Sequence, residues 1–126
     1  MPQQSRRAEL VPNVIVDFEV EQGMLYVSIE NIGSLPAYEI SVEFDKKISG
    51  IENEKEISSL NLFKGIEFLP PGKKIRAFID SFPSYVVRKQ PMMIRTTITY
   101  SGKNRRKFVE SIRHNLSIYK DLPDVR

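Results

Sequence analysis

A chain of 126 residues is the size of one domain. It can bury about two-thirds of its unfolded surface, so a single apolar core suffices without metal or disulfide. Having no cysteine excludes a disulfide framework, thiolate zinc sites and thiol catalysis, and 40% apolar with 28% charged residues argues against wholesale disorder. The net charge of +3 is unevenly spread: residues 39–56 carry six acids against three lysines (−3), while residues 103–113 carry five bases against Glu110 (+4). Such an asymmetry can orient a domain against a charged partner, but it reads more simply as solvated loops at opposite ends.

The first strand is expected over residues 13–20, with Val14, Val16, Phe18 and Val20 inward and Asp17 and Glu19 outward. A short turn at 21–23 leads into a second strand over 24–31, where Leu25, Val27 and Ile29 share the buried parity. Asn31 offers a side-chain amide to nearby backbone, and Gly33 offers positive φ for the corner that follows. Pro36 has no N–H for a ladder, so the third strand begins after it and runs over 38–44 with Ile40, Val42 and Phe44 buried. Residues 45–56 are polar and read as a loop.

The apolar positions of 57–69 fit neither period. A short strand or helical turn near 60–63 and a short strand at 66–69 are expected there. Pro70-Pro71-Gly72 is a strong break before an alternating strand at 74–80, with Ile75, Ala77 and Ile79 on one face. Residues 82–91 read as an irregular crossing. Residues 92–100 alternate with Ile94, Thr96, Ile98 and Tyr100 buried, and Ser101–Asn104 reads as a hairpin turn. A last, long strand is expected over 106–118, with Phe108, Ile112, Leu116 and Ile118 on its inner face. Residues 1–12 are expected as a flexible arm, 13–119 as the domain, and 120–126 as a frayed tail. The fold class is therefore all-β: an antiparallel, immunoglobulin-like β-sandwich of about seven strands.

Asn31-Ile32-Gly33 with Pro36-Ala37, Phe68-Leu69-Pro70-Pro71-Gly72 and Thr97-Ile98-Thr99-Tyr100 together resemble the prokaryotic immunoglobulin-like sandwich called the cell-adhesion-related domain found in bacteria and archaea. In that class an N-x-G-x-x-A corner links the second and third strands, a Pro-Gly turn precedes the fifth, and a T-x-Y strand precedes the final hairpin. The resemblance spans about residues 13–118 and assigns Asn31, Gly33, Pro36, Ala37, Pro71, Gly72 and Tyr100 to the framework. It implies an accessory or interaction module with no catalytic residues. Such domains also follow a membrane helix in many prokaryotic proteins, with an entry like Arg6-Arg7…Leu10-Val11-Pro12.

Few residues suggest chemistry. His114 is the single histidine, and no motif brings it a nucleophile and an orienting acid, so it reads as a structural residue and the chain as no enzyme. Glu52, Glu54 and Glu56 alternate, but calcium wants about 6–8 oxygens and Lys55 sits among them, so neither metal nor cofactor is expected. Met92-Met93 reads as core filling. Lys103, Arg105, Arg106 and Lys107 are the candidate binding residues, an exposed basic tip beside the core rings Tyr100 and Phe108.

The expected partner is a protein, or self-association through an edge strand. The alternative is an anion, a nucleic acid or an anionic membrane surface held by the 103–107 hairpin, although no recognised nucleic-acid module is present. No run approaches the roughly 18 apolar residues of a membrane span. The N-terminus has two arginines without an apolar stretch behind them, so it does not read as a signal peptide. The expected location is cytoplasmic if the chain is complete as given, or membrane-tethered if it is a fragment.

Overall fold

A computed structural model describes residues 10–51 and 54–122. Three long strands follow the expected alternation: β1 (Val14–Glu21), β2 (Met24–Asn31) and β3 (Ala37–Phe44). Two short strands, β4 (Ser49–Gly50) and β5 (Lys55–Glu56), pair with each other. After them come helix α1 (Asn61–Lys64), β6 (Ile66–Leu69), β7 (Lys74–Ser81), helix α2 (Phe82–Val87), β8 (Met93–Ser101) and β9 (Lys107–Asn115). Two antiparallel sheets form, one ordered β1-β2-β7 and the other β6-β3-β8-β9. The fold is thus mostly antiparallel β, with two short helices.

One apolar cluster joins the sheets. Val14, Val16, Phe18, Leu25, Val27, Ile29 and Ile79 enter it from the first, and Ala37, Ile40, Val42, Leu69, Ile94, Ile98 and Tyr100 from the second. Phe18 of β1 meets Phe44 of β3 edge-on, 6.5 Å between ring centres. Ile48, Ile57, Phe63, Phe82 and Tyr85 close the cluster from the connections.

Several local expectations are corrected. Residues 45–56 are not a plain solvated loop. Ile48 is buried, the β4–β5 ladder forms, and Ile51 N donates to Ile79 O at 2.8 Å, tying the segment to β7. Part of 82–91 is helix α2, because Ser81 Oγ accepts from Ser84 N at 3.2 Å and Pro83 sits in the first turn. The long last strand stops at Asn115, whose Oδ1 accepts from Ser117 N at 2.9 Å and starts a 3-10 turn over Leu116–Tyr119. The strand parity is lost there, so Ile118 is 59% exposed rather than inward. Met92 packs on the core, while Met93 faces solvent.

Gly33 does not take positive φ; among the described glycines Gly23 and Gly72 do. It is glycine because a Cβ there would lie 2.5 Å from Asn13 N and 2.5 Å from Val11 O. Within the segment expected as a flexible arm, Val11 O accepts from Ser34 N at 3.0 Å and Pro12 is buried. Residues 1–9, with Arg6 and Arg7, and residues 123–126 lie outside the described residues.

Candidate functional site

The basic hairpin is built by the β8–β9 ladder and closed by Gly102 N donating to Arg106 O at 2.8 Å. Its tip forces two side-chain-bearing residues into left-handed backbone, Asn104 at φ 57° and Arg105 at φ 62°. A third, Glu39 at φ 51°, lies in the bulge where β3 slips against β8 between Tyr38 and Ser41. All three line one open recess of about 850 Å³, together with Tyr38, Glu67, Lys103 and Lys107. Strain of this kind costs on the order of 1–3 kcal/mol per residue; among the described residues Gln22, Ile51 and Lys89 carry it elsewhere in the chain. Phe68 forms an exposed shoulder beside the recess, its ring 5.6 Å from that of Tyr38.

The four basic residues do not act together. Lys103, Arg105 and Lys107 face the recess. Arg106 turns to the other side of the hairpin, where its guanidinium lies 4.9 Å from the Phe108 ring centre, near Val11, Pro12 and Leu35. Glu39 and Glu67 line the same recess as the three cations, so its lining carries one net positive charge (three minus two).

His114 is buried on β9, its ring edge-on to Phe18 at 4.9 Å and its Nε2 3.1 Å from Thr96 Oγ1. It shares a cleft of about 360 Å³ between β1 and β9 with Asp17 and Tyr119. An acid, an imidazole and a hydroxyl therefore come close, but they are poorly placed for nucleophilic catalysis. Thr96 is 0% exposed and cannot meet a substrate in the cleft, and Asp17 Oδ1 accepts from Phe18 N at 2.9 Å. Burial holds the imidazole below its ordinary pKa, with the Asp17 charge opposing in part.

The depressed histidine has a consequence for stability. Above the unfolded histidine pKa, about 6.5, both states are neutral. As pH falls below that, the unfolded chain takes up the proton first, and stability falls until the folded ring also titrates. Urea midpoints measured between pH 7.5 and 5 should drop more steeply for the wild type than for His114→Gln. Parallel curves would exclude this origin.

Of the seven framework residues, all but Tyr100 meet around the corner after β2. The Asn31 side chain is 0% exposed; its Oδ1 accepts from Asn13 N at 3.1 Å and Gly33 N at 2.9 Å, and its Nδ2 donates to Leu35 O at 2.8 Å and Leu69 O at 3.0 Å. Pro36 leads into Ala37, which pairs with Leu69 of β6. Pro71 and Gly72 are the central residues of a turn closed by Lys73 N to Pro70 O at 3.1 Å, with Gly72 at φ 81°. Gly72 N then donates to Asn31 O at 2.8 Å. Tyr100 is buried, its ring stacked on Phe108 and its hydroxyl donating to Glu110 Oε2 at 2.7 Å. Burial, then that carboxylate, pushes the phenol far above its usual pKa, against a hydrogen bond from the Val14 backbone.

The family described as Domain of unknown function (DUF8453) matches residues 2–120, nearly the whole chain. The chain belongs to that family. No curated protein and no solved structure matches it.

This DUF8453 domain holds one further polar cluster, around Asp80 and Arg88. Arg88 Nη2 and Nε lie 2.7 and 3.2 Å from Asp80 Oδ2, both side chains being nearly buried, and Arg88 Nη2 also donates to Ser49 O at 3.0 Å. Ser84 Oγ donates to the same carboxylate oxygen at 3.2 Å. The pair joins β7, α2 and β4. The available signal was the Ser81–Pro83 helix start, which sets Ser84 and Arg88 four residues apart on one helical face. Of the acidic residues expected to stay wet, Glu54 and Glu56 are exposed, Glu56 lies 4.0 Å from Lys47, and Glu52 falls outside the described residues. Among the described residues no group of three could hold a metal.

Proposed function

We propose that the domain is a non-catalytic interaction or accessory module built as an immunoglobulin-like β-sandwich. The strand order supports the architecture: the first, second and seventh strands form one sheet and the third, eighth and ninth the other, as strands A, B, E and C, F, G do in immunoglobulin domains. On this reading β6 stands beside β3, and the chain is akin to the cell-adhesion-related domains of bacteria and archaea. The observation that carries the functional half is the state of the buried polar side chains. Among the described residues none lacks a hydrogen-bond partner. His114, Thr96, Asn31, Tyr100, Asp80 and Arg88 serve packing, and the chemistry left on the surface is charge and strand edge.

The test pairs two measurements. A photo-crosslinking residue placed at exposed strand positions of the full chain should give a recurrent protein adduct, absent from a probe at Glu54. A panel of ester, phosphate, peptide and glycoside substrates should show no turnover that differs between wild type and His114→Ala. Turnover lost with His114 would overturn the non-catalytic reading.

The strained recess favours a second reading, an anion site formed by Lys103, Arg105 and Lys107. It requires retention on heparin at low salt that falls steeply as salt rises. Arg105→Glu and Lys107→Glu should each abolish most of that retention. Arg106→Glu should do less, because that side chain faces Phe108. No retention at low salt removes this reading, as one net charge in the recess would explain.

A further inference from the structure

Four strands end the two sheets: β1 and β7 in one, β6 and β9 in the other. An unpaired edge offers N–H and C=O groups to another chain, and proteins ordinarily blunt it. Three of these edges are blunted. On β1, Asn13 O accepts from Ile32 N, so by antiparallel alternation the odd residues bond to β2, and Val14, Val16, Phe18 and Val20 turn their main chain outward. Tyr119 Oη donates to Phe18 O at 2.7 Å and crosses that edge. Edge β7 is flanked through Ile51 N to Ile79 O, and β6 has only four residues.

Strand β9 is different. Gly102 N to Arg106 O and Leu116 N to Met92 O bracket its ladder, so Phe108, Glu110, Ile112 and His114 bond to β8. Lys107, Val109, Ser111 and Arg113 therefore hold their N–H and C=O groups toward the free edge, and among the described residues nothing bonds to them there. Their side chains form an exposed row with Val109 66% exposed at its middle. Arg113 stands directly opposite Arg95, a like-charge pair that costs a sheet stability, and neither has an ion-pair partner among the described residues. Beneath the edge runs the cleft between β1 and β9, with Ile15, Phe18, Ile112 and Leu116 in its wall.

We propose that β9 receives an extended acidic segment of a partner protein as an added antiparallel strand, with carboxylates against Arg113 and Lys107 and an apolar side chain entering the β1–β9 cleft. This rests on the interaction-module reading and assigns its surface. The row facing the partner reads Arg113, Ser111, Val109, Lys107, so the complementary segment carries acid, polar, apolar and acid at alternate positions. A second copy is a poor occupant. Fully overlapped β9–β9 pairing sets Lys107 against Arg113, and on β1 Tyr119 engages Phe18 O while Glu19 and Glu21 are held by Lys74 and Arg76.

The probe is a labelled peptide with the core Glu-Val-Thr-Val-Val-Val-Glu, titrated with the full chain at low salt and followed by anisotropy. Saturable binding is expected, about tenfold weaker when both glutamates become lysine. Val109→Pro removes an N–H that faces the free edge while sparing the β8–β9 ladder, and should abolish binding without moving the melting temperature. The double variant Lys107→Glu/Arg113→Glu should reverse the preference between the two peptides, a readout that stands even if the proline variant folds poorly. Equal affinity for both peptides, binding retained by Val109→Pro, or β9-dependent doubling of mass would overturn the proposal. A crosslinked protein partner found on another face, with no peptide binding, would sink the β9 assignment and leave the interaction reading standing. Absence of both would sink the two together.

Discussion

Asn31→Ala is expected to lower the unfolding free energy by about 3–5 kcal/mol, a large part of what a domain of this size has. The side chain makes four hydrogen bonds from a position with no solvent exposure, all to main-chain groups: Asn13 N, Gly33 N, Leu35 O and Leu69 O. Each buried group left without a partner costs about 1–3 kcal/mol. The sum is not reached, because three of the four bonds are only partly buried and water can replace them as the corner loosens. Asn31→Asp keeps an acceptor for Asn13 and Gly33 but turns a carboxylate oxygen on two carbonyls, so it should fail almost as badly. Gly33→Ala attacks the same corner by a different route, since its Cβ would overlap the backbone of Val11 and Asn13. Guanidinium melts of the three variants decide the matter: a loss under about 1 kcal/mol for Asn31→Ala would mean that the corner is not a keystone.

That corner also marks what the residues could and could not disclose. The strands at 24–31 and 92–100 were legible because each has one face in the core, and a two-residue period survives any tertiary arrangement. The Asn-x-Gly element was legible as a corner, but the reason for glycine was not. The constraint comes from Val11 and Asn13, about twenty residues away in sequence, and local turn logic supplies only a dihedral argument. Ile118 leaves the inward row because parity holds only while the chain stays extended, and Asn115 ends the strand with its own side chain. The four basic residues of the hairpin formed one cluster in sequence. The tight turn sends Arg106 to the opposite side, so three of them share a recess with two acids from β3 and β6 that no local pattern connects to them. The free edge of β9 needs the ladder phase, which only the pairing with β8 reveals.

The Asp80–Arg88 pair lay furthest from reach, since nothing in a strand-then-helix pattern says that a carboxylate at the end of β7 will be buried. Arg88→Met is expected to cost about 3–5 kcal/mol, because it leaves the Asp80 charge buried without its counter-ion. Asp80→Leu should cost a similar amount for the converse reason. The double variant should lose clearly less than the two singles added together, since no buried charge is then left over. Strict additivity in that cycle would refute the coupling. Arg88→Lys retains charge but cannot reproduce two nitrogens on Asp80 Oδ2 together with a bond to Ser49 O, so it should behave closer to Met than to Arg. The damage should also spread in one direction. Arg88 holds Ser49, and the residues after Ser49 flank the β7 edge through Ile51 N, so amide exchange at Ile51 should quicken in Arg88→Met while that at Asn31 stays slow. An edge released in this way is open to another strand, which makes self-association of Arg88→Met at high concentration the consequence of losing one buried guanidinium.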